Sequence, residues 1–119
     1  MRFSAFVRLT IAAAALTASS LATAAFPDKP IRIVIGFPAG GPLDQHARLL
    51  TDKLQAVLGQ PILVDYKSGA GGTVGAQEVM KAAPDGYTLM LANTGVMVIN
   101  PALYSKLPYS TLKDFTPVA

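Results

Sequence analysis

Ile31-Arg32-Ile33-Val34-Ile35-Gly36-Phe37-Pro38-Ala39-Gly40-Gly41-Pro42-Leu43-Asp44 is the stretch in which the fold of this chain is decided. Its first five residues form a short β-branched run, opened by Pro30 and closed by Gly36, which suits a strand buried on at least one face. A glycine-rich turn follows. From Leu43 the apolar positions become Ala47, Leu50, Leu54, Val57 and Leu58, and spacings of three and four put them on one face of a helix. Gly59 stands where a left-handed residue ends such a helix, and Pro61 prevents its continuation.

The same unit recurs downstream. Ile62 to Tyr66 reads as a second strand, Gly69 to Gly72 as its loop, and Val74 to Ala83 as a helix with Ala76, Val79, Met80 and Ala83 inward. Pro84-Asp85-Gly86 is a turn, and Tyr87 to Ala92 a third strand. Strands that alternate with helices predict a parallel sheet in an α/β fold, because helical crossovers are the economical way to join parallel neighbours. After Ala92 the pattern weakens. A helical turn is expected from Thr94 to Ile99, with Asn100-Pro101 breaking it, and Leu103 to Ala119 reads as irregular. Within that tail, Phe115 to Ala119 resembles the opening of a further strand.

Composition narrows the function. The 119 residues are 51% hydrophobic and 14% charged, too apolar for a disordered tail. The absence of cysteine excludes disulfides, cysteine-held zinc or iron-sulfur clusters, a thiol nucleophile and lipid attachment through a thiol. A single histidine, His46, excludes a multi-histidine metal site. The formal charge is +3, but Arg2 and Arg8 belong to a leader-like segment; without them eight basic residues face seven acidic ones. A net +1 without a basic run offers no footprint for a phosphate backbone, so no nucleic-acid partner is expected.

In that leader, Leu9 to Leu21 is apolar, alanine-rich and uncharged. As a helix it would rise only about 20 Å, short of a hydrocarbon core of about 30 Å, so it reads as an export signal and not as an anchor. Ala22-Thr23-Ala24, or Thr23-Ala24-Ala25, supplies the small residues of a cleavage site. The expectation is a signal peptide over residues 1–25 and a soluble, exported, periplasmic domain over 26–119.

Chemistry concentrates in three loops that follow the strands: Gly36 to Asp44, Ser68 to Gly75, and Asn93-Thr94-Gly95. Two of them run into helix starts, where backbone N–H groups lack intrahelical acceptors. In open α/β sheets ligands bind outside the carboxyl ends of the strands, so the loops suit an anion held by amides and helix dipoles without side-chain charge. Phe37 stands where it can wall a cleft, and Asp44 either stabilises its helix's first turn or touches solute. His46 reads as a surface or packing residue, Arg48 as solvated or ion-paired, and Tyr66 and Tyr87 as packing residues. No catalytic residue is expected. The chain lacks a P-loop lysine and a G-x-S-x-G elbow, and it shows no carboxylate pair spaced for acid–base work. Gly69, Gly71 and Gly75 come within one residue of a dinucleotide fingerprint, which keeps a Rossmann-like enzyme as the alternative.

Phe26-Pro27-Asp28-Lys29-Pro30-Ile31-Arg32, Pro38-Ala39-Gly40-Gly41-Pro42-Leu43-Asp44 with Ala47-Arg48-Leu49, and Leu58-Gly59-Gln60-Pro61 together resemble the Bug family. So do Ser68-Gly69-Ala70-Gly71-Gly72 with Gly75-Ala76, Pro84 to Leu89, Asn100 to Tyr104, and Asp114 to Val118. The resemblance implies a periplasmic solute receptor, not an enzyme, that serves a tripartite tricarboxylate-type transporter with its membrane permease. It implies two α/β lobes of the type II periplasmic-binding-protein kind closing on a small carboxylated solute, with no cofactor and no metal. It further implies that the backbone around Ala39, Gly40 and Gly41, around Gly71, Gly72 and Thr73, and around Thr94 and Gly95 holds the carboxylate. Family members carry Ser or Thr where this chain has Leu43, and they are longer. On that likeness the chain ends near the crossing into the second lobe, with the first lobe incomplete and its carboxylate binding weak or absent.

Overall fold

The computed structural model describes residues 25–119; the expected signal peptide lies almost wholly outside them. Three parallel strands, β1 (Ile31–Ile35), β2 (Ile62–Tyr66) and β3 (Thr88–Leu91), form one sheet in the order β2-β1-β3. Ile31 pairs with Ile62 and Arg32 with Thr88, so β1 is flanked on both sides. It is also the most buried strand, with Val34 and Ile35 fully enclosed.

Helix α1 (Pro42–Leu58) joins β1 to β2, and α2 (Thr73–Met80) joins β2 to β3. They cover opposite faces. Leu54 and Leu58 of α1 pack with Ile31, Ile33, Ile62, Leu89 and Leu91, whereas Ala76 and Met80 of α2 pack with Val96, Tyr109 and Met90. Alternation along β3 separates Leu89 and Leu91 from Met90, which makes a three-layer α/β/α arrangement. Its strand order reverses at β1, and crevices open at the carboxyl end of such a reversal.

Several boundaries differ from the sequence expectation. The inner face of α1 runs through Asp44, Ala47, Thr51, Leu54 and Leu58, while Leu50 is exposed and Val57 is 82% exposed. The helix is apolar enough to offer two stripes, and packing against β1 and β2 selects the one containing Thr51. Helix α2 stops at Met80, and Ala83 is exposed: the turn tightens through Ala82 N–H to Val79 O, and the residue before Pro84 is turned from helical backbone. Asn100-Pro101 does not end a helix. A π-helical segment, Gly95–Ile99, runs directly into α3 (Asn100–Leu103), where Pro101 occupies a first-turn position that needs no N–H donor. The region expected to be irregular holds one further turn, α4 (Thr111–Asp114), and Phe115 to Ala119 pairs with no strand.

Gly59 ends α1 as expected, at φ 67° with its N–H bonded to Gln55 O. At the same end of the sheet, where the strands begin, Phe26 packs against Tyr87 with ring centroids 4.9 Å apart, and the Tyr87 hydroxyl accepts from Asp28 N–H at 2.9 Å while donating to the Asp28 carboxylate. These contacts pin the segment before β1 to the start of β3. None of the helices among the described residues is long and apolar enough to cross a membrane.

Candidate functional site: a glycine-packed rim of free amides

The three loops meet at one rim of the sheet. Gly36, directly after β1, lies against the second loop so closely that a Cβ there would sit 2.8 Å from Gly72 Cα. A Cβ on Gly75 would sit 2.8 Å from Gly36 Cα, and one on Gly72 would come within 2.5 Å of Val96 and 3.2 Å of Phe37. Glycine is therefore required by backbone-to-backbone contact at Gly36 and Gly75, which links the first loop to the second and, through Gly72, to the third. Polar ties reinforce this. Lys67 N–H donates to Ile35 O at 2.8 Å, Asn100 Nδ2 to Gly71 O at 3.0 Å, and the Tyr109 hydroxyl to Val96 O.

Asp44 organises the first loop from beneath. It is 3% exposed, and its carboxylate accepts from the Tyr66 hydroxyl at 2.6 Å, from Gly40 N–H at 2.8 Å and from Arg48 Nε at 3.0 Å. The Tyr66 hydrogen bond first, then the Gly40 amide and the Arg48 guanidinium, hold its pKa below the ordinary 3.8 against the opposing effect of burial. The same bond raises the Tyr66 pKa, so that hydroxyl stays a donor. With three donors satisfied, Asp44 is a fixed anion that shapes the turn. His46 is exposed, its Nδ1 2.6 Å from Pro42 O.

The amides divide into committed and free. Gly40 N–H is held by Asp44, Gly72 N–H by Gly69 O and Thr73 N–H by Ala70 O. Gly41 caps α1 with no side-chain hydrogen bond, and the amides of Ala39, Gly41, Leu43, Asp44, Gly71, Thr94 and Gly95 find no acceptor among the described residues. Two recesses flank these donors. One, of about 300 Å³, is lined by Phe37, Pro38, Gly41, Pro42, Leu43 and Asn93. The other, of about 220 Å³, is lined by Ala70, Thr73, Tyr104, Lys106, Leu107 and Pro108.

Of the residues singled out in the sequence, Phe37 and Gly41 line the first recess, Thr73 lines the second, and Gly72 is buried between Phe37 and Val96. Ala39 and Gly40 form the turn before α1, Gly71 lies in a 3-10 turn (Ala70–Gly72), and Thr94 and Gly95 open the π-helical segment. Asn93 was not singled out. Its Oδ1 accepts from Val96 N–H at 3.1 Å, which fixes the amide's orientation and leaves Nδ2 with both hydrogens unpaired among the described residues. An Asn three residues before a helical amide, at the end of a strand, is the cap signal that would have found it. The described residues hold no group of three potential metal ligands.

Residues 46–119 match the family model described as tripartite tricarboxylate transporter family receptor. The chain belongs to this receptor family. It is 37% identical over 119 residues to protein BugT of Bordetella pertussis, covering 99% of this chain and 36% of that protein. Among solved structures, the periplasmic binding protein BugD superposes with a TM-score of 0.74 at 39% identity, over 78% of this chain and 31% of that one. MatC from Rhodopseudomonas palustris, solved with bound malate, gives a TM-score of 0.75 at 46% identity, over 78% of this chain and 32% of that one. The chain spans about a third of the length of the curated relatives it matches. The receptor family consists of solute-binding proteins and is not a class of enzymes. This displaces the dinucleotide reading, as does the second loop itself: it passes through a 3-10 turn, and the Gly72 and Thr73 amides that would face a pyrophosphate are spent on Gly69 and Ala70.

Proposed function

We propose that residues 26–119 form the anion-gripping part of a periplasmic receptor for a small carboxylate, exported by the segment over residues 1–25 and delivering its solute to a tripartite transporter's permease. The observation that carries this reading is the convergence of three loops with free amides at Ala39, Gly41, Leu43, Gly71, Thr94 and Gly95, of which Gly41 and Leu43 line a walled recess together with Asn93 of the third loop. An amide pair at a helix N-terminus holds a carboxylate through hydrogen bonds and dipole without a cationic side chain. The likeness to MatC, whose structure holds malate, supports a carboxylate as the solute class. Gly40, Gly72, Thr73 and Asp44 then act from within the scaffold, and Phe37 acts as a wall.

Magnitudes set the expected affinity. Two or three charge-assisted hydrogen bonds at about 1.5–3 kcal/mol each must offset an association cost of at least about 4 kcal/mol. These residues alone therefore supply at most about 5 kcal/mol net, a Kd of a few tenths of a millimolar or weaker, whereas a micromolar Kd requires about 8 kcal/mol net. Titration of the 15N-labelled chain with succinate tests this. Saturable shifts confined to the amides of the three loops are expected; shifts centred on Lys53, Lys81 or Lys113, or none at all, would overturn it.

A further inference from the structure

The first recess carries a single polar side chain. Its side-chain walls are Phe37, Pro38, Pro42 and Leu43, and its one polar side chain, Asn93, offers Nδ2 donors while its Oδ1 is engaged by Val96. Donors without free side-chain acceptors match a carboxylate, which only accepts, joined to plain hydrocarbon. A ligand hydroxyl beside that carboxylate would bring its own hydrogen into a wall of leucine and proline, where it loses water and gains no side-chain partner.

We infer that Leu43 is a specificity-determining residue: it makes this site select carboxylates whose chain next to the bound head is unsubstituted, and reject their hydroxy counterparts. Leu43 sits in the first turn of α1, with its own free amide beside the carboxylate position and its side chain on the recess wall. The same residue thus grips the head through its backbone and reads the adjoining carbon through its side chain. The inference rests on the carboxylate reading of the rim.

The test compares succinate with tartrate, and propionate with lactate, by amide shifts of the labelled full chain; the second member of each pair carries a hydroxyl on the carbon next to every carboxylate. Because the recess is open on one side, the penalty falls at the low end of that for an unpaired hydroxyl, about fivefold weaker binding for each hydroxy acid. In Leu43→Ser, whose hydroxyl both donates and accepts, the two members of each pair should bind within about twofold. Equal or tighter binding of tartrate and lactate by the unaltered chain would overturn the inference and leave the carboxylate reading standing. Failure of all four acids to shift the loop amides would overturn that reading itself. A preference that survives unchanged in Leu43→Ser would show that Leu43 does not set it.

Discussion

Replacing Gly36 by alanine should pull the rim apart, because the added methyl has no side chain to push aside. Its carbon would lie 2.8 Å from both Cα and O of Gly72 and 3.2 Å from the Gly72 carbonyl carbon, all of them backbone atoms. Overpacking a core costs about 1–3 kcal/mol where neighbours can rearrange. With backbone on the receiving side, the upper end applies, about 3 kcal/mol. At roughly 0.05–0.15 kcal/mol per residue the described domain carries about 5–14 kcal/mol of stability, so Gly36→Ala should still fold but melt well below the parent chain. Each kcal/mol shifts Tm by about 4–8 °C in a domain of this size, which predicts a fall of roughly 10–25 °C. Gly59→Ala is the matched control. Gly59 is left-handed, at φ 67°, as Gly36 is not, but a Cβ there meets nothing within 4 Å, so alanine adds only backbone strain of about 1 kcal/mol. Urea unfolding of the three proteins separates the cases. If Gly36→Ala matches the parent, or loses no more than Gly59→Ala, the loops do not meet as described.

Other substitutions test the remaining parts. Asn93→Asp keeps an acceptor for Val96 N–H but removes the Nδ2 donors and adds negative charge, so thermal stability should be nearly unchanged while succinate-induced amide shifts vanish. Asp44 has a folded pKa held below its ordinary 3.8, so its contribution to stability is present above that value and is lost as pH falls through the folded pKa. The Tm difference between the parent chain and Asp44→Asn should therefore be largest near neutrality and shrink in acid; a constant difference would show that the carboxylate's charge is not what the loop uses. Ile35→Ala, in the enclosed strand, should cost about 2–5 kcal/mol in urea unfolding. Val57→Ala, on the solvent side of α1, should stay within about 0.5 kcal/mol of the parent.

The contrast between Ile35 and Val57 shows what could be read from residues in order. Strand runs bounded by proline and glycine, and a helix closed by Gly59, depend on local backbone chemistry, and all three strands and both crossover helices stand where that chemistry puts them. The inward face of α1 depends on what the sheet presents, and a helix with leucine or valine at 49, 50, 54, 57 and 58 is compatible with more than one stripe. Pro101 misled for a related reason: it breaks a helix interior but suits a first turn, and only the upstream π-helical segment decides which applies.

At the rim, the glycines announced the loops, but their division of labour was hidden. Whether an amide faces solvent or a neighbouring carbonyl follows from contacts such as Gly72 N–H to Gly69 O, which need the folded turn. The burial of Asp44 under Tyr66 joins residues from α1 and β2 that no local pattern connects. Asn93 was legible as a cap, but not as the one donor side chain of the first recess.

The most direct measurement is a crystal structure of a receptor containing this chain, grown with succinate. The account predicts one carboxylate seated at the rim, its oxygens about 3 Å from loop amides such as Gly41 and Leu43 and from Asn93 Nδ2, with Asp44 still bound to Tyr66 and Arg48. A carboxylate held instead by Arg48 or a surface lysine, with the loop amides facing only water, would contradict it.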